Sequence, residues 1–201
     1  SPYAKAMAEF MLNHPDCQDF GRKFKIAFSG CSENACGIVN MHDLGGIAKT
    51  RDGKNGFKIY VGGGLGAVPH QAKIMYEFLP EEEILPLMQA IGRVFARLGE
   101  KKNRAKARVK FLVARLGLDE FTRLVEEERQ ILPHDERWTS YIDELPAWGE
   151  NPIKDPTSLN GNAKPEGFNQ WQEKNVISQR QEGYKVVVIM LPLGDISSHQ
   201  T

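Results

Sequence analysis

The chain predicts an α+β fold, a mixed β-sheet covered by helices, and three observations carry this. Strand-like alternation is confined to the first third of the chain. A turn rich in Asp, Gly and Asn separates two of these apolar stretches. Amphipathic segments with helical spacing then follow one another from residue 80 to residue 130.

Taken in order, residues 2–13 place Ala4, Met7, Ala8, Met11 and Leu12 at helical spacing, and His14-Pro15-Asp16 ends that helix. Lys23 to Ser29 alternates basic and apolar residues and then turns apolar, the pattern of a strand that begins in a polar site and ends in a core. Ser29 to Asn40 is a polar loop with two cysteines. Asp43 to Thr50 and Phe57 to Val61 read as strands, and Asp52-Gly53-Lys54-Asn55-Gly56 between them predicts a hairpin. A glycine loop follows, then a short helix around His70 to Glu77. Pro80 opens a helix whose first turn carries Glu81, Glu82 and Glu83, where the helix dipole favours acids. Its apolar face is Ile84, Leu87, Met88, Ile91, Val94, Phe95 and Leu98. Arg104 to Leu116 is the next helix, closed by Gly117, and Asp119 to Gln130 the last, with Asp119 as N-cap.

The sheet thus combines strands near 24–29, 44–50 and 57–61. Residues 1–145 form this domain. Residues 146–182 read as a linker, rich in Pro, Gly and Asn over 146–167. Residues 183–201 hold the most apolar run, Val186 to Leu191, a buried strand that opens a further unit. Trp138, Trp148 and Trp171 read as packing residues after the helices. Because the chain begins with Ser1 and its last strand lacks a partner, it reads as a piece of a longer protein.

Composition bounds the function. The 201 residues are 41% hydrophobic, enough for a real core. The 26 Lys and Arg balance 26 Asp and Glu, so the basic run at 101–110 is a local feature and a nucleic-acid partner is disfavoured. No apolar run approaches the roughly 20 residues that cross a bilayer. Three cysteines, Cys17, Cys31 and Cys36, make no disulfide framework and point to a reducing, cytoplasmic setting.

Two features carry the chemistry. Val61-Gly62-Gly63-Gly64-Leu65-Gly66 is a strand running into a loop almost without side chains, in which Gly62, Gly63, Gly64 and Gly66 let backbone N–H groups approach a ligand. Residues 101–110, Lys-Lys-Asn-Arg-Ala-Lys-Ala-Arg-Val-Lys, are dense in cationic donors; on a helix Arg104 and Arg108 share a face. Together they suit a polyanion: a polycarboxylate cofactor, a phosphate ligand or a nucleic-acid backbone. The loop lacks the Lys-Ser/Thr ending of a P-loop and does not fit G-x-G-x-x-G, which disfavours a nucleotide. Lys23 and Lys25 lie two apart and in a strand point to one face, which suits a small oxyanion; an edge strand with solvated lysines gives the same pattern. A tight turn explains the glycines equally well, and a solvated helix face the charge run. Lys101, Lys102 and Lys110 read as solvated. His42 and Asp43 point to opposite faces and read as structural hydrogen-bonding residues. Cys31 and Cys36 form C-x4-C, too few ligands for a cluster and poorly spaced for zinc, so no metal site is assigned.

In order and spacing, five stretches across residues 15–130 resemble the sirohaem-dependent sulfite and nitrite reductases. They are Gly21-Arg22-Lys23-Phe24-Lys25-Ile26, His42 to Ala48, Gly56 to Gly66, Glu77 to Pro80, and Asn103 to Phe111. Residues 183–195 resemble the start of the ferredoxin-like half-domain that follows in that family. The resemblance implies a piece of an oxidoreductase that reduces sulfite to sulfide or nitrite to ammonia, with an electron donor such as ferredoxin and a second half of the parent as partners. It implies that Arg22, Lys23 and Lys25 bind the oxyanion and that Lys23 and Lys25 supply protons. It implies that Gly62, Gly63, Gly64, Gly66, Asn103, Arg104, Lys106 and Arg108 seat sirohaem. Sirohaem and a 4Fe–4S cluster are expected in the full-length parent, with neither cofactor nor activity on this chain by itself. The alternative from a different class is a nucleic-acid- or partner-binding module using a basic helix over 101–110.

Overall fold

A computed structural model describes residues 2–31, 37–144, 151–156, 164–178, 181–189, 191, 197 and 199. The chain divides into two compact units, Ser1–Trp148 and Gly149–Thr201.

The first unit opens with helix α1 (Pro2–Met11), which buries Ala6, Met7 and Phe10. Four strands follow, β1 (Ile26–Ser29), β2 (Leu44–Arg51), β3 (Lys54–Val61) and β4 (Lys73–Pro80). They form one sheet in the order β1-β2-β3-β4, with β1 parallel to β2 and the other pairs antiparallel. This is the mixed sheet expected. The β2–β3 turn is tighter than its composition suggests: Asp52 and Gly53 alone make it, both at positive φ (51° and 75°), and Lys54 to Gly56 already belong to β3. Two residues at positive φ match the twist of the flanking strands.

Three sequence expectations fail here. The helix around His70 to Glu77 is instead β4, which pairs with β3 through irregular register at Phe57/Ile59 and Ile59/Tyr60. Those bulges and the partial exposure of both faces blur the alternation that marks a strand. The strand at 23–29 starts only at Ile26, so Lys23 and Lys25 lie in the segment entering it. The helix at 104–116 is broken: a short 3-10 turn spans Arg104–Lys106, and α3 begins at Val109 and ends at Leu116.

A 3-10 turn at Glu81–Glu83 leads into α2 (Ile84–Leu98), the spine of the unit. Ile84, Leu87, Met88, Ile91, Val94 and Phe95 on its expected apolar face are at most 1% exposed. Burying each such side chain is worth about 1.5–3 kcal/mol. Helices α3, α4 (Leu118–Gln130) and α5 (Arg137–Asp143) complete the cover. Gly117, at φ 83°, caps α4; Asp119 lies in its first turn. Arg93 and Arg97 of α2 pair with buried Glu128 of α4 at 2.8 and 3.2 Å. Trp138 packs on the core and donates from Nε1 to Gln89 at 3.1 Å.

In the second unit, α6 (Phe168–Asn175) leads into β5 (Val176–Ser178), which pairs antiparallel with β6 (Lys185–Val187). Residues 146–182 therefore hold a helix and a strand, and are more than linker. The run expected to be buried is not: Val186, Val187, Ile189 and Leu191 are all more than 40% exposed. Trp171 is likewise exposed, and Trp148 lies outside the described residues.

Candidate anion site at one end of the sheet

Register brings the candidate residues to one edge. Ile26 pairs with Leu44, Leu44 with Val61, and Val61 with Lys73. The segment entering β1, the His42-Asp43 step entering β2 and the glycine loop leaving β3 therefore meet at one end of the sheet.

Asp43 sits at the centre of this end and is fully buried. Its Oδ2 accepts the backbone N–H of Lys25 at 2.9 Å. Arg108 grips the carboxylate with both arms, Nε to Oδ1 at 3.0 Å and Nη2 to Oδ2 at 2.6 Å. The Asp43 carbonyl accepts the Gly62 N–H at 2.9 Å. A buried ion pair is costly unless its polar atoms are satisfied, and this carboxylate takes three N–H donors. Reaching Asp43 breaks the local helix: Ala107 adopts φ −85°, ψ 44°, and Arg108 is extended at φ −126°, ψ 152°. Arg104 and Arg108 consequently share no helix face, and the Arg108 guanidinium is held inside the protein. The continuous basic helix that a nucleic-acid module would need does not form.

The glycine loop is built differently from a nest of free donors. The N–H groups of Gly62, Gly63 and Gly64 are consumed internally by the carbonyls of Asp43, His42 and His70, each at 2.9 Å. The glycines serve close approach instead. A Cβ at Gly63 would lie 2.6 Å from the Asn40 oxygen and 2.7 Å from that of His42. Gly62, at φ 81°, packs on Val113, and a Cβ at Gly64 would meet Lys110 and Arg108 at 3.1 and 3.3 Å. Gly66 is exposed at φ 104° with open space around it.

Lys110 overturns its reading as a solvated residue. It is 3% exposed, and its ammonium donates to the carbonyl of Leu65 at 2.9 Å and to that of Val68. It fills the loop that the paired Gly64 and His70 backbones close. Burial pushes its pKa down, the Arg108 charge adds to the shift, and Asp43 opposes it.

The remaining cations are offered to solvent. Arg22, Lys23, Lys25, Arg104 and Lys106 are exposed, and Arg22 donates to the Arg104 carbonyl at 3.4 Å. A Cβ at Gly21 would come within 2.4 Å of the Glu100 oxygen, so the lysine-bearing segment lies directly against residues 100–107. Asn103 caps the turn, its Oδ1 accepting the Ala105 N–H at 3.1 Å. Lys106 also borders a cavity of about 670 Å³ with Phe111, Leu112 and Arg115. Lys101, exposed as expected, pairs with Asp19. The structural readings of His42 and Asp43 fit: His42 Nδ1 lies 3.0 Å from the Ile38 oxygen.

Among the described residues no group of three His, Cys, Asp or Glu could hold a metal. Cys17 is buried, and burial pushes its thiol up to about 11; Cys31 is exposed, and Cys36 lies outside the described residues. No helix among the described residues is long and apolar enough to cross a membrane.

The sequence reading misses Lys110 as a filler, and gives Asp43 a structural hydrogen-bonding role without its partner Arg108. The one available signal was a carboxylate opening an apolar strand with no local cation to pair it.

The nitrite and sulphite reductase 4Fe-4S domain family matches residues 1–131. A sulfite reductase (ferredoxin) 1 of Mycolicibacterium paratuberculosis is 32% identical over 130 residues, covering 64% of this chain and 23% of that protein. A ferredoxin–nitrite reductase of Leptolyngbya laminosa is 30% identical over 116 residues, covering 57% and 22%. The solved structure of Mycobacterium tuberculosis NirA superposes with a TM-score of 0.55 at 30% identity, covering 65% of this chain and 24% of that one. The chain spans less than a quarter of the length of each.

Proposed function

Because the chain belongs to the nitrite and sulphite reductase 4Fe-4S domain family, we propose that it supplies the oxyanion-binding cations and part of the sirohaem pocket of a longer reductase. That protein reduces sulfite to sulfide or nitrite to ammonia in a cytoplasmic setting, with a ferredoxin as donor, as the names of two relatives suggest. The observation that carries this reading is the convergence at one sheet end of Lys25, the glycine loop and residues 100–108.

The donor set fits a group with many carboxylates. Arg22, Lys23, Lys25, Arg104 and Lys106 are exposed cations around that end, and the loop from Gly62 to Gly66 presents little side-chain bulk. In this reading Arg104 and Lys106, ordered by the Asn103 cap, hold carboxylates of sirohaem. Arg108 and the glycines shape the wall, a role in framing rather than gripping. Sirohaem, when bound, supplies the iron and the path for electrons. Lys23 and Lys25 hold the oxyanion through charge-assisted contacts of about 1.5–3 kcal/mol each. Their Nζ atoms also donate protons as oxygen leaves as water, and stabilise the charge that builds on the departing atom. The three cysteines of this chain are fewer than the four ligands a 4Fe–4S cluster takes, and Cys17 among them is in the core with a thiol that resists ionisation. The cluster's ligands belong to the rest of the parent.

The test is steady-state reduction of sulfite and nitrite by the longer protein carrying this chain. Lys25→Gln is expected to lower kcat/KM for the true substrate at least a hundredfold, about 2.7 kcal/mol of lost stabilisation, with the absorption spectrum unchanged. Unaltered kinetics in Lys25→Gln and Lys23→Gln would remove the lysines from the mechanism.

A further inference from the structure

We infer that Asp43 is a positioning residue for the oxyanion lysines, locking the Lys25 backbone to Arg108 through one buried carboxylate while its own backbone holds the glycine loop. This rests on the proposed role of Lys25.

The argument is one of acceptor arithmetic. Two carboxylate oxygens receive three N–H donors, from Lys25, Arg108 Nε and Arg108 Nη2. Through its own carbonyl the same residue holds Gly62. Two segments distant in sequence, at Lys25 and Arg108, therefore depend on one side chain that is shielded from water, and a third, at Gly62, on the backbone of the same residue. Lys25 lies outside any strand; its carbonyl accepts the Leu44 N–H at 3.2 Å, so its backbone is tied to β2 on one side, and its N–H goes to the Asp43 side chain. The Lys25 N–H to Asp43 bond adds the second tether, and the two together set where the Lys25 side chain starts. Asparagine has nearly the same shape but one acceptor oxygen and an amide that itself donates. In Asp43→Asn at least one of the three donors loses its partner, and Arg108 is left charged and buried without a counter-ion.

The experiment uses the 201-residue chain and two readouts. The first is amide hydrogen exchange at Lys25, against core amides of α2 as reference. The second is an NMR titration with sulfite, followed at the Lys23 and Lys25 amides. In Asp43→Asn, Lys25 exchange is expected to rise at least tenfold while α2 amides stay protected, and sulfite affinity to fall about tenfold, a loss near 1.4 kcal/mol. Arg108→Lys, which keeps the charge, is expected to retain more sulfite affinity than Arg108→Gln; a purely space-filling Arg108 would not distinguish them. Unchanged Lys25 exchange, or unchanged sulfite affinity, in a folded Asp43→Asn overturns the positioning role. Should Asp43→Asn not fold, Arg108→Lys and Arg108→Gln decide: equal Lys25 exchange and equal sulfite affinity in the two overturn it. If the unaltered chain gives no sulfite response at Lys23 or Lys25 while Lys25 exchange still rises in Asp43→Asn, the oxyanion reading fails and the backbone coupling stands.

Discussion

Replacing Lys110 by methionine tests whether a buried ammonium holds the glycine loop in shape. The side chain donates to two carbonyls, Leu65 and Val68, and each charge-assisted bond has a gross value of about 1.5–3 kcal/mol. Two effects work against that sum. Burial already disfavours the charged form, as the depressed pKa records. Leu65 and Val68 are themselves exposed, so water can reach the carbonyls once the lysine is gone. The expected net loss is therefore about 1–2 kcal/mol, not the sum of two strong bonds. The loss should be local: the reciprocal Gly64 and His70 amides close this loop, and their exchange in Lys110→Met should rise about tenfold. A second readout follows from linkage. The folded-state pKa of Lys110 lies below the unfolded value, so the unfolded chain binds more protons between the two. Stability contributed by this group therefore rises with pH up to the unfolded value near 10.5, and is lost as pH falls through the folded pKa. Urea unfolding from neutral to alkaline pH should show that gain in the parent chain relative to Lys110→Met. Equal exchange at Gly64 and His70, with parallel pH curves, would refute the staple.

Other outcomes test the frame. Gly63→Ala should destabilise at the upper end of about 1–3 kcal/mol by urea denaturation, because the new Cβ meets two backbone oxygens that cannot rotate away. A well-tolerated alanine would mean that the loop stands off from residues 40–42. His14 is buried, with its pKa pushed down first by burial; Arg137 adds to that shift while Asp16 and Asp135 oppose it. Its contribution is complete above the unfolded value of 6.5 and is lost as pH falls through the folded pKa. His14→Asn keeps an acceptor for the Asp16 N–H that His14 Nδ1 receives at 3.2 Å, and should flatten the decline of the thermal midpoint between pH 7 and pH 5. An unchanged acid slope would assign that decline to other groups.

The parts of this fold that local rules govern were legible in the sequence. The β2–β3 hairpin follows from Asp52-Gly53, and α2 from its apolar period, although Glu81–Glu83, expected in its first turn, form a 3-10 turn ahead of it. The errors fall where tertiary demands override local preference. Residues 104–108 carry good helix formers, yet the chain leaves the helix at Ala107 so that Arg108 can reach a carboxylate 65 residues away. Lys110 looked like surface because lysine normally is; two loop carbonyls 42 and 45 residues earlier bury it. β4 lacked clean alternation because its pairing is bulged. The glycines stand out in the sequence for their backbone donors, which at Gly62, Gly63 and Gly64 the fold consumes; what these three contribute is the absence of Cβ atoms. The apolar run at 186–191 had every local mark of a buried strand, and burial depends on a covering layer that local sequence does not encode.

The most direct test of the central claim is the visible absorption spectrum of the longer protein that carries this chain, purified alongside its Arg104→Gln/Lys106→Gln variant. An iron tetrapyrrole Soret band is expected in the unaltered protein, with its intensity per folded polypeptide clearly reduced in the variant. A folded, unaltered protein without that band, or a variant with full intensity, would contradict the assignment of this sheet end to the tetrapyrrole's carboxylates.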